Sequence, residues 1–303
     1  MKRLWALSLP ALAASMIWAL SFVFMKWAVA ELATPGVVVL RFGVASLGAC
    51  LLLPAARRAP GHTCPWQWIV VLAVVSITIP HLFYTQGLRL TSALHGGWIA
   101  GWQPALTALV AVPLLRERLT RFGLLGIGVG ALGMTLVISE GGVAGFEISR
   151  TSVLGDLLVL LAVTLWAVQG ALGRKYAARC SPLALTLYTT LVGWVLLLPW
   201  GGVPEVIHAL GRLSLRFWIS IVYLGALASL AAYWLWYRAL ETWEAAVVAA
   251  YLYLEPPVAS VAAALVLHEK VSGFVLVGGV LILAGLLVVQ YSAALRVAER
   301  ARL

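Results

Sequence analysis

The feature that most constrains this chain is a succession of ten apolar runs, each about long enough to cross a membrane as a helix. A transmembrane helix needs roughly 20 mostly apolar residues. Short connections that carry charged residues, Pro or Gly separate the runs, which lie at 4–27, 35–54, 66–86, 92–114, 121–139, 152–173, 182–200, 215–238, 244–267 and 272–292. We therefore predict an all-α polytopic membrane protein with ten transmembrane helices.

The composition excludes a water-soluble protein of this length. Of the 303 residues, 63% are hydrophobic and 11% are charged, whereas a soluble domain has roughly 45–50% apolar and 25% charged residues. The net charge is +10, but the basic residues stand in short connections and form no face or stripe, which argues against a nucleic-acid partner. The three cysteines, Cys50, Cys64 and Cys180, have neither a metal-ligand spacing nor a disulfide framework, so we expect small apolar fillers.

The basic residues predict the orientation of the chain, because cytoplasmic loops carry an excess of Lys and Arg. With the N-terminus in the cytoplasm, the connections on the outer side hold Arg89, Arg150, Arg212, Arg216 and Lys270. The inner side holds the larger group: Lys2, Arg3, Arg57, Arg58, Arg116, Arg118, Arg121, Arg174, Lys175, Arg179, Arg238, Arg296, Arg300 and Arg302. We expect a multi-pass protein of the cell (inner or plasma) membrane with both termini in the cytoplasm.

The chain contains an internal repeat. At an offset of 152 residues, TSALHGGWIAGWQPALTALVAVPLLRERLTRFGLLGIGVGALG (91–133) aligns without a gap with WEAAVVAAYLYLEPPVASVAAALVLHEKVSGFVLVGGVLILAG (243–285). A weaker match at an offset of 148 residues joins the first and the sixth apolar runs. The aligned pairs include Trp18 with Trp166, His81 with Tyr233, Tyr84 with Trp236, Gln103 with Glu255, Pro104 with Pro256, Gly126 with Gly278, and Gly133 with Gly285.

The repeat divides the ten predicted helices into two sets of five. Because five is odd, the second set enters the membrane from the opposite side, and the two five-helix repeats are inverted. We predict a first repeat at 1–140, an extramembrane linker at 141–151, a second, inverted repeat at 152–292 and a cytoplasmic tail at 293–303. Transporters built in this way bind their substrate near the midplane, where the two halves meet.

Several short motifs resemble the EamA type of the drug/metabolite transporter superfamily, and together they extend over essentially the whole chain. In the first half they are WALSFVFMK (18–26), Arg41 in VVVLRFGVASL, Tyr84-x-x-Gly87-Leu88, Pro104, LRERLT (115–120), Gly126 and Gly133. In the second half they are Leu254-Glu255-Pro256, Glu269 and Gly278. The resemblance implies a ten-helix carrier that exports small metabolites, often amino acids or their analogues, through a central cavity.

We therefore interpret the chain as a secondary transporter that exports small metabolites by alternating access, with aromatic or hydrophobic amino acids or related compounds as the expected substrates. An efflux carrier for aromatic cations or drugs is the alternative. A membrane-embedded enzyme with Glu255 and His81 as acid and base is a weaker alternative, because no nucleophile or metal motif accompanies them, and so is a channel. The chain has no G-x-x-x-x-G-K-[ST] phosphate loop, which argues against ATP drive.

The expected partners follow from this interpretation. They are a small-molecule substrate and the lipid bilayer, with no nucleic acid. Protons are a candidate coupling ion, and facilitated diffusion without a coupling ion is the alternative. We expect no cofactor, no metal and no enzymatic activity, and we expect a monomer.

Two polar residues mark the predicted site. Glu255 lies near the centre of its apolar run, and its repeat partner Gln103 lies at the same depth. An ionisable group at that depth is expensive and faces the interior or a water-filled cavity. Each of the two precedes a proline, Pro256 or Pro104, which breaks the helix because proline lacks an N–H. We predict that the pair lines a cavity and that the carbonyls of Ala100 and Leu252, four residues before the prolines, lose their helical partners.

The remaining candidates are one histidine and several aromatic side chains. His81 follows a proline inside the third run and could bind substrate or titrate near neutral pH. The aromatic candidates for the cavity wall are Trp18, Tyr84, Trp98, Trp102, Trp166 and Tyr251. Such a wall suits a flat ring or a bulky apolar group, by stacking and by cation–π contact. Packing bulk is the alternative for each ring, and for Arg41 we expect a structural role rather than a substrate contact.

Overall fold

The computed structural model describes residues 8–58, 64–90, 99–116, 120–139, 150–200, 202–267 and 273–300. All regular structure in these ranges is helical, and they contain no strand. The predicted all-α fold is therefore confirmed for this part of the chain. The predicted cavity residue Trp98 and the motif residues Glu117 and Glu269 lie outside the described residues, as does most of the predicted linker.

The described residues include eleven helices that build the bundle. They are α1 (Leu9–Val29), α2 (Thr34–Arg58), α3 (Trp66–Leu90), α4 (Gln103–Leu115), α5 (Arg121–Ser139), α6 (Arg150–Ala177), α7 (Pro182–Leu197), α8 (Val203–Ala209), α9 (Leu215–Thr242), α10 (Ala245–Leu267) and α11 (Gly273–Arg300). Short 3-10 helices follow α7 at Leu198–Trp200 and α8 at Leu210–Arg212. The element α10 has three consecutive segments, which are α-helical at Ala245–Ala249, 3-10 helical at Ala250–Leu254 and again α-helical at Glu255–Leu267.

Seven helices in the described part of the chain are long and apolar enough to cross a membrane. They are Leu9–Val29, Thr34–Arg58, Trp66–Leu90, Val153–Ala177, Pro182–Trp200, Leu215–Thr242 and Ala245–Ala262. Three further apolar helices are shorter: Gln103–Leu115, Arg121–Leu136 and Leu276–Ser292. Most helix ends lie within a few residues of the predicted ones, because hydropathy and flanking charges determine both. The main difference is α11, which continues to Arg300, past the predicted end of its run at 292.

Two helices contain a π-helical segment. In α3 this segment is Val74–Thr78, and in α9 it is Tyr223–Ala231. At the offset of 152 residues that relates the two repeats, the first segment falls inside the second. A π-helical segment changes the backbone hydrogen-bond pattern, so nearby carbonyl groups need partners from other helices.

The helices of the two halves of the sequence pack against each other in an interleaved way. Helix α1 packs on α9 and α10, and α6 packs on α3 and α4. Helix α2 packs on α7, and α5 forms its most extensive contact with α11. The largest buried apolar cluster contains residues of α1, α3 to α7 and α9 to α11, including the fully buried Tyr237, Tyr251 and Tyr253. The core is therefore shared between the halves.

Glycines bring α5 and α11 into backbone contact. A Cβ atom added to Gly133 would lie 2.6 Å from the carbonyl oxygen of Gly278, and one added to Gly126 would lie 2.7 Å from that of Gly285. The repeat aligns Gly126 with Gly278 and Gly133 with Gly285, so both glycines of each contact have a counterpart in the other half of the sequence. Small residues at such positions allow close packing of membrane helices.

The two connections that precede α3 and follow α6 are joined by a disulfide between Cys64 and Cys180, whose Cα atoms are 5.6 Å apart. The prediction that the cysteines are small apolar fillers is therefore wrong for this pair. The pairing depends on the packing of α3 along α6, which the spacing of the cysteines in the sequence does not reveal. Cys50 is a free cysteine.

A polar contact joins α1 and α9 at the end of the bundle where α1 leads to α2. The exposed Glu31 carboxylate accepts hydrogen bonds from the hydroxyl (2.6 Å) and the backbone N–H (2.8 Å) of Ser214, the N-cap residue of α9. These two hydrogen bonds hold the pKa of Glu31 below its ordinary value, and the charge of Arg216 acts in the same direction.

The glycine contact between α5 and α11 predicts a difference between two substitutions on the same helix. Gly133→Ala should lower the thermal midpoint of the purified protein, because overpacking against backbone costs about 1–3 kcal/mol. Gly128→Ala should leave the midpoint unchanged or raise it, since a Cβ there would have no atom within 4 Å and alanine favours a helix by about 0.5–1 kcal/mol. Equal midpoints for the two variants would contradict the close contact.

Candidate functional site

Three aromatic side chains form a cluster between α1 and α9. The Trp18 ring lies 5.6 Å from the Tyr233 ring, centroid to centroid, and 5.3 Å from the Trp236 ring. The Trp18 indole Nε1–H donates a hydrogen bond of 2.8 Å to the carbonyl oxygen of Ala228, within the π-helical segment of α9. We call Trp18, Tyr233 and Trp236 the α1–α9 cluster.

A second cluster between α3 and α6 has the same arrangement. The Trp166 ring lies 5.5 Å from the His81 ring and 5.3 Å from the Tyr84 ring. Its indole Nε1–H donates a hydrogen bond of 3.1 Å to the carbonyl oxygen of Ser76, within the π-helical segment of α3. We call Trp166, His81 and Tyr84 the α3–α6 cluster.

The two clusters agree in their angles as well as in their distances. The interplanar angles are 78° and 56° in the α1–α9 cluster and 79° and 52° in the α3–α6 cluster. The acceptors Ser76 and Ala228 are 152 residues apart in the sequence. The ring partners on the same two helices, His81 with Tyr233 and Tyr84 with Trp236, have the same separation. The same aromatic unit, with an indole bound to a π-helical carbonyl, thus occurs twice.

The clusters differ in chemistry. His81 is an imidazole where its counterpart Tyr233 is a phenol, and Tyr84 is a phenol where its counterpart Trp236 is an indole. The Nδ1 atom of His81 lies 2.8 Å from the carbonyl oxygen of Ile77. Because a carbonyl oxygen only accepts, Nδ1 carries the hydrogen, and the Nε2 atom of the neutral ring is left as an acceptor. The Tyr84 phenol lies within electrostatic range of the Glu255 carboxyl group.

Gln103 and Glu255 occupy equivalent places in the backbone. Helix α4 begins at Gln103, and the last α-helical segment of α10 begins at Glu255. An i→i−3 hydrogen bond marks the start of each segment. The Trp102 N–H donates to the carbonyl oxygen of Ile99 (3.1 Å), and the Glu255 N–H donates to the carbonyl oxygen of Leu252. The prediction that the Leu252 carbonyl lacks a partner is therefore wrong, because the 3-10 geometry supplies the hydrogen bond that Pro256 cannot donate.

The other predicted residues are less central to these clusters. Tyr251 is fully buried, and its hydroxyl oxygen accepts a hydrogen bond of 2.8 Å from the backbone N–H of Ser8. The Trp102 side chain is 49% exposed. Pro104 is buried and Pro256 is partly buried, each at the second position of its helical segment. The structure places Trp166 against His81 and Tyr84, and Trp18 against Tyr233 and Trp236. The hydrogen bond from the Tyr233 hydroxyl to the Ser76 carbonyl oxygen (3.3 Å) links the two groups.

Sequence reasoning missed Tyr233 and Trp236 as members of the site. The signal was present, since the internal repeat pairs them with His81 and Tyr84. In the described part of the chain, no group of three or more His, Cys, Asp or Glu side chains is placed to hold a metal ion.

A bundle of apolar helices with its polar and aromatic side chains turned inward is the arrangement of a polytopic membrane protein. The family model described as "EamA-like transporter family" matches residues 5–139 and again residues 153–291. The chain belongs to this family, and the predicted polytopic membrane transporter is confirmed.

Curated relatives cover nearly the whole chain. An uncharacterized transporter of Archaeoglobus fulgidus is 29% identical, over 89% of this chain and 92% of its own. A "Probable terminal-alkyne amino-acid exporter" of Streptantibioticus cattleyicolor is 27% identical, over 95% and 93%. A "Probable amino-acid metabolite efflux pump" of Escherichia coli K12 is also 27% identical, over 91% and 92%. A solved crystal structure with 19% identity has a TM-score of 0.78, over 94% of this chain and 96% of its own, which shows a shared fold.

The indole hydrogen bonds predict which tryptophans support the fold. Trp18→Phe and Trp166→Phe should each remove the indole donor from a backbone carbonyl, which costs about 0.5–1.5 kcal/mol. The loss should be smaller for Trp166→Phe, because the Tyr233 hydroxyl also donates a hydrogen bond of 3.3 Å to the Ser76 carbonyl oxygen. Trp236→Phe is the matched control, because it removes the same atoms from the α1–α9 cluster, and the Trp236 N–H has no hydrogen-bond partner among the described residues. Thermal midpoints in detergent should fall further for the first two variants than for the control. A larger loss for Trp236→Phe would contradict this role of the indoles.

Proposed function

We propose that this protein is a secondary carrier that exports small metabolites by alternating access, with aromatic or hydrophobic amino acids and related compounds as its substrates. The observation that carries the proposal is the pair of equivalent aromatic clusters, each built from one helix of either half of the sequence. Family membership and the names of the relatives from S. cattleyicolor and E. coli support export and the amino-acid class.

We further propose ten transmembrane helices in two inverted repeats, at 1–140 and 152–292, which act on one substrate site. The seven long helices and the three shorter apolar ones would together supply ten spans. Five spans in each half would reverse the second half in the membrane. The matched distances and angles of the α1–α9 and α3–α6 clusters support a two-fold relation between the halves.

The proposed substrate site is a midplane cavity that combines apolar rings with a few polar groups. Trp18, His81, Tyr84 and Trp166 would offer ring faces and edges for stacking with a flat or bulky side chain. Glu255 would supply a carboxyl group next to these rings. The other residues proposed to line or shape the cavity are Trp98, Trp102, Gln103, Pro104, Tyr251 and Pro256.

The proposed setting is the cell (inner or plasma) membrane with both termini in the cytoplasm, which the distribution of Lys and Arg supports. In this orientation the Glu31–Ser214 contact would lie at the outer face and Cys64 and Cys180 at the inner face, where the cytosol favours the reduced thiols. We propose protons as the coupling ion and a monomer as the working unit.

Solute flux tests the proposed function. The protein, reconstituted into liposomes preloaded with unlabelled solute, should accumulate labelled phenylalanine, tyrosine or leucine by counterflow, and glucose should remain at the level of empty liposomes. Transport of tetraphenylphosphonium alone would favour the alternative of a carrier for aromatic cations. The absence of flux for a broad panel of amino acids, their analogues and aromatic cations would contradict the proposal.

Glu255 is the residue on which proton coupling should depend. Glu255→Gln keeps the size of the side chain but removes the group that can bind and release a proton, so flux should lose its dependence on pH while substrate binding remains measurable. Glu241→Gln is the control, since Glu241 pairs with Arg238 near the end of α9. A Glu255→Gln protein whose flux still follows pH as the unmodified protein does would show that Glu255 is not the proton carrier.

A further inference from the structure

Arg41 carries a positive charge inside the helical bundle. It lies in the apolar stretch VVVLRFGVASL of α2, and only 8% of it is exposed. Its Nε–H donates a hydrogen bond of 2.6 Å to the hydroxyl oxygen of Ser229 in the π-helical segment of α9. Among the described residues, no carboxylate forms an ion pair with it.

A guanidinium group in this situation has no counter-charge from the described residues. It has five N–H donors in a planar fork, and the Ser229 hydroxyl accepts one of them. Charged side chains inside a membrane are rare, and they pair with one another or mark a substrate pathway. The planar fork matches the two oxygens of a carboxylate, which it binds through two parallel hydrogen bonds. Arg41 therefore lacks a partner of the kind that its geometry favours.

The surroundings of Arg41 connect it to the aromatic clusters. His81 of the α3–α6 cluster and Tyr233 of the α1–α9 cluster lie within electrostatic range of the guanidinium group. The guanidinium carbon lies 5.3 Å from the centroid of the Phe42 ring, and that ring lies 4.9 Å from the His81 ring. The cation is therefore next to the rings of the proposed substrate site.

A path of ring contacts leads from Arg41 to Tyr84 through Phe42, His81 and Trp166. None of the residues along this path carries a negative charge that could neutralise Arg41. A solute carboxylate would supply the missing charge.

We propose that Arg41 binds the carboxylate of the transported solute, in a subsite held in place by Ser229 and bordered by Phe42 and His81. This inference rests on the proposed transport function and narrows its substrate class to compounds with a free carboxylate. The apolar part of the solute stacks on the adjoining rings. Amides and esters of the same compounds lack the negative charge, and the subsite discriminates against them.

The test compares phenylalanine with phenylalaninamide, both for binding to the purified protein by calorimetry and for counterflow in liposomes. The unmodified protein should prefer the carboxylate. Arg41→Gln should reduce this preference by about 10-fold or more, the loss expected for a hydrogen bond to a charged group. Arg41→Lys should retain part of the preference, because it keeps the charge and loses the fork. Arg58→Gln, at the exposed end of the same helix, is the control.

Ser229→Ala keeps the proposal testable if Arg41→Gln does not fold. This variant leaves the charge in place and removes the Ser229 hydroxyl that holds the guanidinium group, so the preference should fall by a smaller factor. A folded Arg41→Gln or Ser229→Ala protein with an unchanged preference would overturn the inference, and so would an unmodified protein that binds the two compounds equally. Binding without counterflow would instead contradict the transport function and leave the carboxylate subsite intact.

Discussion

The hydrogen bond from a tryptophan indole to a π-helical carbonyl is the interaction on which the centre of this structure depends. Inside an apolar bundle no water is available for backbone groups, so each one needs a partner from the protein. The π-helical segments of α3 and α9 depart from the regular pattern, and indoles from α6 and α1 bind the carbonyls of Ser76 and Ala228. Because a tryptophan is large and has few rotatable bonds, the same contact fixes the distance between the helices and orients the rings around it.

The two clusters join helices from the two halves of the sequence. The α1–α9 pair is joined at its centre by the Trp18 hydrogen bond and at one end by Glu31 and Ser214. The α3–α6 pair is joined at its centre by the Trp166 hydrogen bond, and Cys64 lies beside Cys180 at one end. The pairs are also joined to each other, because the Tyr233 hydroxyl of α9 donates a hydrogen bond to the Ser76 carbonyl oxygen of α3 and the Arg174 side chain of α6 donates one to the Leu240 carbonyl oxygen of α9. The proposed change of access would have to rearrange these contacts between the pairs.

The sequence was sufficient to predict the helices and insufficient to predict their local geometry. Hydropathy and flanking charges determine where a helix enters and leaves an apolar phase, so most helix ends were predicted within a few residues. The repeat paired Trp18 with Trp166 and so pointed to both clusters. The π-helical segments and the Cys64–Cys180 disulfide depend on which helices become neighbours, and hydropathy does not contain that information. Tyr251 shows the same limit, since its depth was predictable but its hydrogen bond to Ser8 was not.

The equivalence of the two clusters in shape makes their difference in chemistry informative. If aromatic packing were their only role, both could be built from the same neutral rings. Instead, the α3–α6 cluster has His81 and Tyr84 with Glu255 nearby, whereas the corresponding positions hold Tyr233, Trp236 and Gln103. Two clusters of the same shape would allow similar movements to open a site to either side of the membrane. Binding a solute with one charged and one apolar end requires chemically different groups at the two ends of the site. The proposed site, in which Arg41 and Glu255 accompany the aromatic rings, would meet that requirement.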